Sequence, residues 1–194
     1  MIYLLRHAQT LNNLNRIIQG RIDFPLSESG KEYIKVVGSK FKKKGYIVDL
    51  IYSSPLKRAY ESALIMKDSI GYLKDIIIYD NLIEREFGEA EGLTLSKEIY
   101  DRILNDDFKG MEKCEEVIKR GYNAVLDIAR QNKDKNILIV CHSHVIKGVL
   151  IGIDRTYKFS DTLENCSLTI LDYVDDSLNI VEANKELYYE DIWW

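Results

Sequence analysis

The chain begins Met1-Ile2-Tyr3-Leu4-Leu5-Arg6-His7, an apolar run that ends abruptly in a cation and an imidazole. Such a run is typical of a strand buried on both faces of a parallel sheet. In open α/β sheets, ligands bind beyond the carboxyl ends of these strands. There a guanidinium suits phosphate or carboxylate, and an imidazole can serve as base, nucleophile or donor. Taken alone, the stretch is equally compatible with a solvated strand end.

Further apolar runs and amphipathic stretches alternate along the chain. Strands are predicted over residues 47–52, 76–79, 136–140, 168–173 and 178–181, and helices over 28–44, from Ser54 onward, over 112–131 and over 145–152. The second of these helices is expected to have Ser54 as its N-cap and Pro55 at its first position, where a missing N–H costs nothing. Residues 11–21 are predicted to form an irregular loop, and residues 93–110 a helical excursion. This order predicts one domain over 1–194, an α/β three-layer sandwich. Its central sheet is mostly parallel, helices cover both faces, and a small helical cap spans about 88–112.

Composition narrows the class of protein. The 194 residues carry a net charge of -4, which argues against a nucleic-acid-binding surface. No secretory signal or membrane-spanning run is present. Three widely spaced cysteines form no disulfide framework, so they are expected to be reduced and mostly buried. A cytoplasmic enzyme that binds neither nucleic acid nor membrane is therefore expected, as a monomer or a homodimer.

The strand ends bring chemistry-bearing residues to one edge of the predicted sheet. Arg6-His7 and His142 follow two strands directly, and Arg58 lies one turn into a helix from which it can reach back. An exposed Arg58 paired with Glu61 or Asp68 is the alternative. Two guanidiniums and two imidazoles suit a compact dianion such as a phosphoryl group. A histidine can attack phosphorus covalently, and a carboxylic acid must then protonate the leaving oxygen.

Several motifs in the correct order resemble the histidine phosphatase superfamily, also called phosphoglycerate mutase-like. The resemblance covers nearly the whole chain. The matching segments are Leu5-Arg6-His7-Ala8-Gln9-Thr10, Ser53-Ser54-Pro55-Leu56-Lys57-Arg58-Ala59, Glu84 with Phe87-Gly88-Glu89-Ala90-Glu91-Gly92, Gly110-Met111-Glu112, Val140-Cys141-His142-Ser143-His144 and Asn165-Cys166-Ser167.

The resemblance implies a role for each matching position. His7 is expected to become phosphohistidine, with Glu84 as general acid and then base for water. Arg6, Arg58 and His142 are expected to hold the phosphoryl oxygens. The wider substrate-binding set comprises Arg6, Asn13, Gln19, Gly20, Arg58, His142, Ser143 and His144. No metal and no organic cofactor is implied for hydrolysis. The expected enzyme is a histidine acid-type phosphatase, a phosphoric monoester hydrolase acting on a small phosphorylated metabolite.

Two departures from the family pattern stand out. Ser143-His144 replaces the usual glycine pair after the second catalytic histidine. His144 either touches substrate or points away from the helix N-terminus, and the second arrangement is favoured. Ala8 replaces the common glycine. The segment between Gly88 and Glu112 is also shorter than the insertion of cofactor-dependent mutases, which favours a phosphatase.

Three alternatives remain open from the sequence. A phosphoglycerate mutase would return the phosphoryl group to substrate rather than to water. A metal hydrolase is suggested by His142-Ser143-His144, because alternating residues of a strand share a face and imidazoles bind zinc. A non-catalytic module would only bind a phospholigand. The substrate itself stays open among sugar phosphates, a ribazole phosphate, nucleotides and phosphoproteins. The role of an aromatic tail with Tyr188, Tyr189, Trp193 and Trp194 is open as well.

Overall fold

A six-stranded sheet forms the centre of the fold in the computed structural model, which describes residues 1–189. The strands are β1 (Ile2–Arg6), β2 (Leu50–Ser53), β3 (Ile77–Ile78), β4 (Ile137–Cys141), β5 (Leu168–Val174) and β6 (Ser177–Lys185). Their order across the sheet is β3-β2-β4-β1-β5-β6. The neighbouring pairs β3-β2, β2-β4 and β4-β1 are parallel, whereas the pairs β1-β5 and β5-β6 are antiparallel. The predicted α/β fold with a mostly parallel sheet is confirmed.

Helices cover both faces of this sheet. They are α1 (Leu11–Leu14), α2 (Glu28–Lys43), α3 (Lys57–Ile70), α4 (Lys97–Leu104), α5 (Cys114–Gln131) and α6 (Ser143–Ile153). One apolar cluster joins α2 and α3 to the sheet, and a second joins α5 and α6 to the opposite face. Short 3-10 turns occur at Asp80–Leu82, Gly88–Ala90 and Leu187–Tyr189.

The side chains of β1 alternate between the two faces of the sheet, so helices must cover both faces to bury them. Ile2 and Leu4 belong to the cluster with α5 and α6, whereas Tyr3 and Leu5 belong to the cluster with α2 and α3. Successive side chains of a strand point to opposite faces, so a continuous apolar run buries both. Arg6 breaks the run where β1 reaches the edge of the sheet, opposite Cys141 of β4.

Several element boundaries differ from those predicted. β2 begins at Leu50, not at residue 47, because its partner β4 begins at Ile137, opposite Leu50. Ile47 is 66% exposed. Residues 11–14 form the short helix α1, because Thr10 and Asn13 make a reciprocal capping box there. The predicted irregular loop is therefore wrong at its start.

The predicted cap at residues 88–112 contains one α-helix. α4 spans Lys97–Leu104, which is shorter than the predicted excursion over 93–110. Ile103 packs with Ile18, Phe87 and Met111 in a separate apolar cluster beside the sheet. This cluster attaches the cap to the loop that follows β1.

Two remaining features concern the periphery of the molecule. Among the helices of residues 1–189, none combines the length and apolar character needed to cross a membrane. Of the aromatic tail, Tyr188 stacks on Tyr33 with ring centroids 4.2 Å apart. Trp193 and Trp194 lie outside the described residues.

Candidate active site

The backbone of Arg6 and His7 is fixed from two sides at the end of β1. The His7 amide donates to the Cys141 carbonyl at 2.9 Å, which ties it to the end of β4. The amide side chain of Asn165 donates to the His7 carbonyl at 2.9 Å, and the Cys166 amide donates to the Arg6 carbonyl at 3.1 Å. The parallel neighbour β4 thus places the motif of His142 beside that of His7, and the antiparallel neighbour β5 brings the motif of Asn165 to the same place.

The His7 ring is oriented by its own backbone. Its Nδ1 lies 2.7 Å from the Ala8 carbonyl oxygen, and a carbonyl can only accept. Nδ1 therefore carries the proton and Nε2 keeps its lone pair. Burial, followed by the charges of Arg58 and Arg6, holds the pKa of His7 well below its usual value. A neutral ring with a bare Nε2 is the form that can act as a nucleophile.

Two guanidiniums flank this ring, that of the buried Arg58 and that of the half-buried Arg6. Arg58 is only 1% exposed, and its terminal nitrogens donate to the carbonyls of Gly20 and Ile22 at 2.6 and 3.0 Å. Arg6 donates through Nη1 to the Leu163 carbonyl. The alternative of an exposed Arg58 paired with Glu61 or Asp68 is wrong. Both guanidiniums are instead held by backbone oxygens, and within residues 1–189 neither forms a direct ion pair.

His142 stands at the end of β4 and is oriented by Ser54. The His142 Nε2 lies 2.7 Å from the Ser54 Oγ, and both side chains are fully buried. Ser54 Oγ also accepts from the Leu56 amide at 3.3 Å and makes no further hydrogen bond within residues 1–189. Its one proton is satisfied only by donation to Nε2. The ring then carries its own proton on Nδ1.

Ser54 therefore does not cap a helix as predicted. α3 begins at Lys57, its N-cap is Leu56, and no side chain caps it. Pro55 accordingly does not occupy the first helical position. The sequence reading missed Ser54 as a site residue because the serine-proline pair also fits a helix start.

Three buried polar atoms of this cluster have no hydrogen-bond partner within residues 1–189. They are Nε of Arg6, Nε of Arg58 and Nδ1 of His142. Buried polar groups are normally paired, so a cluster of three unpaired donors requires an explanation. Burial, then the charges of Arg58, His7, Arg6 and Arg120, holds the pKa of His142 well below its usual value. A bound anion would satisfy all three donors.

Glu84 lies in the same cavity, held by two backbone amides. The Arg85 amide donates to its Oε1 at 2.9 Å, and the His144 amide donates to its Oε2 at 3.4 Å. The side chain is 6% exposed. The carboxyl group thus faces the site from the loop after β3, as the sequence predicted, with its position set by backbone rather than by another side chain.

Asn13 and Gln19 present their amide groups through a shared partner, Thr10. The Thr10 hydroxyl lies 3.1 Å from Asn13 Oδ1 and 2.9 Å from Gln19 Oε1, and the Thr10 amide also donates to Asn13 Oδ1. Because the side-chain oxygens of Asn13 and Gln19 both accept these bonds, their NH₂ groups are the donors left over within residues 1–189. Thr10 is fully buried. The sequence reading did not single it out.

A cavity of about 190 Å³ collects nearly all of the predicted positions. His142 does not line it but packs beside His7, with ring centroids 5.2 Å apart. Ser143 and His144 both line it, so the favoured view that His144 points away is wrong. The lining comprises Arg6, His7, Asn13, Ile17, Ile18, Gln19, Gly20, Arg58, Glu84, Phe87, Leu95, Tyr100, Ile103, Ser143 and His144.

The His142-Ser143-His144 pattern does not form the shared face that a metal site would need. β4 ends at Cys141 and α6 begins at Ser143, so the two histidines do not alternate along a strand. The His144 ring stacks on Phe159 and meets Phe87 edge-on, while His142 bonds to Ser54. Burial, then the charges of Lys147, Arg85 and Arg6, holds the pKa of His144 well below its usual value.

Two carboxylates and an arginine missed by the sequence reading brace the loops around the cavity. Glu91 Oε1 accepts from the amides of Arg21 and Phe87 at 2.9 and 3.0 Å, which joins the loop after α1 to the loop of the acid. Arg85 is fully buried, pairs with Asp106 and donates to the Glu112 carbonyl at 2.9 Å. Only the tertiary contacts distinguish these charges from the solvated acidic residues nearby.

Comparison with known proteins agrees with this geometry. Residues 2–186 match the model of the histidine phosphatase superfamily (branch 1). A putative phosphoserine phosphatase 2 from Hydrogenobacter thermophilus is 32% identical over 197 residues, covering 95% of each chain.

Solved structures lead in the same direction. YhfR from Bacillus stearothermophilus superposes with a TM-score of 0.86 at 25% identity, covering 97% of this chain and 98% of that one. A phosphoglycerate mutase from Bacillus anthracis superposes with a TM-score of 0.83 at 26% identity, covering 96% and 93%.

Proposed function

Because this chain belongs to the histidine phosphatase superfamily, we propose that it hydrolyses small phosphate monoesters through a phosphohistidine formed on His7. The observation that carries the proposal is the set of three unpaired buried donors, on Arg6, Arg58 and His142, gathered around a neutral His7. Their arrangement suits a dianion with three terminal oxygens.

In the first step, Nε2 of His7 attacks phosphorus and the bond from phosphorus to the ester oxygen breaks. That oxygen takes a proton from Glu84 and leaves as an alcohol. The charge that accumulates on the phosphoryl oxygens is met by donors already in place, which need no reorganisation. Nδ1 of His7 keeps its proton and donates it in a hydrogen bond to the Ala8 carbonyl. This bond holds the orientation of the ring while Nε2 carries the phosphoryl group.

In the second step, Glu84 accepts a proton from water, and the resulting oxygen attacks the phosphohistidine. The bond from nitrogen to phosphorus breaks, inorganic phosphate is released, and His7 returns neutral. His142 donates from Nδ1 in both steps because Ser54 holds the opposite nitrogen. Because the imidazole of His142 is neutral, it donates a hydrogen bond to the phosphoryl group without adding a positive charge beside Arg6 and Arg58.

The charges of the cavity favour a phosphatase over a mutase. Phosphoglycerate carries a carboxylate that must be bound besides its phosphoryl group. Among the lining residues of the described chain, Arg6 and Arg58 are the only permanent cations, and both face the phosphoryl position. No separate cation remains to hold a glycerate carboxylate while the phosphoryl group returns.

The proposal extends to two finer points. The depressed pKa of His7 keeps its nucleophilic form present in mildly acidic solution, which supports an acid-type phosphatase. Residues 1–194 are treated as one domain, with residues 88–112 as a cap over the cavity, since Phe87 and Ile103 pack against Ile18 of the loop after β1.

The decisive experiment compares wild type with His7→Ala. The variant is expected to lose hydrolysis of an aryl phosphate and to take up no acid-labile phosphate label. Because the remaining clamp is intact, it should still bind inorganic phosphate in calorimetry, which controls for folding. Normal turnover in His7→Ala would overturn the mechanism. Interconversion of 3- and 2-phosphoglycerate without phosphate release by wild type would establish the mutase instead.

A further inference from the structure

Besides its polar and charged residues, the lining of the cavity has an apolar part. It is contributed by three separate segments, namely the loop after α1, the loop of Glu84, and the cap. The residues that form it are Ile17, Ile18, Phe87, Leu95, Tyr100 and Ile103. Ile18, Phe87 and Ile103 are almost completely buried. A leaving group that faces this part of the lining lies against hydrocarbon and the two aromatic rings of Phe87 and Tyr100.

This apolar wall is preformed by backbone hydrogen bonds. The Ile18 amide donates to the Leu93 carbonyl at 3.0 Å, and the Gly92 amide donates to the Ile18 carbonyl at 2.8 Å. The Leu95 amide donates to the Arg16 carbonyl at 2.7 Å. A short ladder of backbone hydrogen bonds thus joins the loop after α1 to the cap segment. The wall cannot be rearranged cheaply to admit a different kind of leaving group.

The described lining of the cavity offers a positively charged leaving group no carboxylate besides that of the catalytic acid. Among its lining residues within the described chain, Glu84 is the only carboxylate. Both of its oxygens already accept backbone hydrogen bonds, and it must be protonated to act as the acid. An ammonium group in this cavity would share it with the cations Arg6 and Arg58 and, among the lining residues of the described chain, with no carboxylate other than Glu84. A buried charge without a partner is strongly disfavoured.

We infer that this site selects phosphate monoesters whose leaving group is apolar and carries no ammonium group, such as aryl and short alkyl phosphates. The inference rests on the proposed function and specifies its substrate class. A cavity of roughly 150 Å³ accommodates benzene. The volume of about 190 Å³ therefore suits a phosphoryl group that carries a small apolar substituent. Phosphoserine, for which three of the curated relatives are named, carries an ammonium group and is therefore expected to be a poor substrate of this chain.

The test compares substrates in pairs that share the chemistry of the leaving oxygen. Phenyl phosphate is compared with O-phosphotyrosine, and n-propyl phosphate with O-phosphoserine, by phosphate release from the wild-type chain. The member of each pair whose leaving group carries no charge is expected to show a kcat/KM higher by about tenfold or more. Equal or higher kcat/KM for the zwitterions overturns the inference but leaves the proposed function standing. Phosphate release from none of the four overturns the proposed function, and the inference with it.

A charge variant tests the cause directly. Leu95→Asp places a carboxylate in the apolar wall, and Leu95→Asn is the matched variant of equal size without charge. The ratio of kcat/KM for O-phosphotyrosine to kcat/KM for phenyl phosphate should be about tenfold higher in Leu95→Asp than in Leu95→Asn. Leu93→Asp, two residues away and outside the lining, should not change it. An unchanged ratio in Leu95→Asp contradicts the inference. If that variant does not fold, the wild-type pairs still decide.

Discussion

Removing the Ser54 hydroxyl tests the most specific feature of the site. In Ser54→Ala, Nε2 of His142 loses a partner at 2.7 Å, and within residues 1–189 no other group bonds to it. The ring is then free to carry its proton on Nε2, which turns a lone pair toward the phosphoryl position. A hydrogen bond to a charged group contributes about 1.5–3 kcal/mol. kcat/KM should therefore fall by roughly ten- to 150-fold.

The assay is phosphate release from phenyl phosphate, with two controls. Ser54→Thr keeps the hydroxyl and should restore most of the activity. Ser53→Ala removes a neighbouring buried hydroxyl that, within residues 1–189, bonds only to the Ser54 carbonyl, so it should leave kcat/KM within about twofold.

A double-mutant cycle separates this role from simple packing. In the His142→Ala background, Ser54→Ala should have almost no further effect on kcat/KM. Nitrogen-15 NMR of the imidazole in wild type should show the proton of His142 on Nδ1. Equal losses in both backgrounds, or a proton on Nε2 in wild type, would refute the reasoning.

Three other variants test the acid, the buried histidines and the loop geometry. Glu84→Gln should slow hydrolysis of n-propyl phosphate by about 10²–10⁴-fold, but 4-nitrophenyl phosphate much less, because a good leaving group needs no proton; equal slowing counts against Glu84. All three histidines have lowered pKa values in the folded state, so the unfolded chain binds protons first, near pH 6.5. The free energy of unfolding should therefore fall as pH drops from 7 to 5, by up to about 1.4 kcal/mol per pH unit for each histidine. Denaturant titrations should show a shallower dependence in His144→Phe, and an unchanged slope would contradict this assignment. In Gly20→Ala, the new Cβ lies 2.0 Å from Glu91 Oε1 at a backbone φ of +51°. Stability should fall by about 1–3 kcal/mol together with kcat/KM, and a wild-type Tm would show that the loop adapts.

Local patterns in the sequence were sufficient to predict the framework of the fold and most of the residues that the fold gathers around one cavity. The apolar run before Arg6-His7 specifies a strand buried on both faces, because alternate side chains point to opposite layers. A similar run before Cys141-His142 specifies its neighbour. Parallel strands that begin at the same edge also end at the same edge, so the two motifs meet without further information.

What only the tertiary structure decided are the contacts that depend on residues distant in sequence. Ser54 and His142 are 88 positions apart, and their hydrogen bond replaces the cap that the local serine-proline pattern suggested. Thr10 orients two amide groups by a network whose geometry depends on the loop after α1. His144 lines the cavity because α6 begins at Ser143, with only His142 between this helix and the end of β4. Side-chain periodicity determines which face is buried, but the pairing of a buried polar atom depends on which segment folds against it.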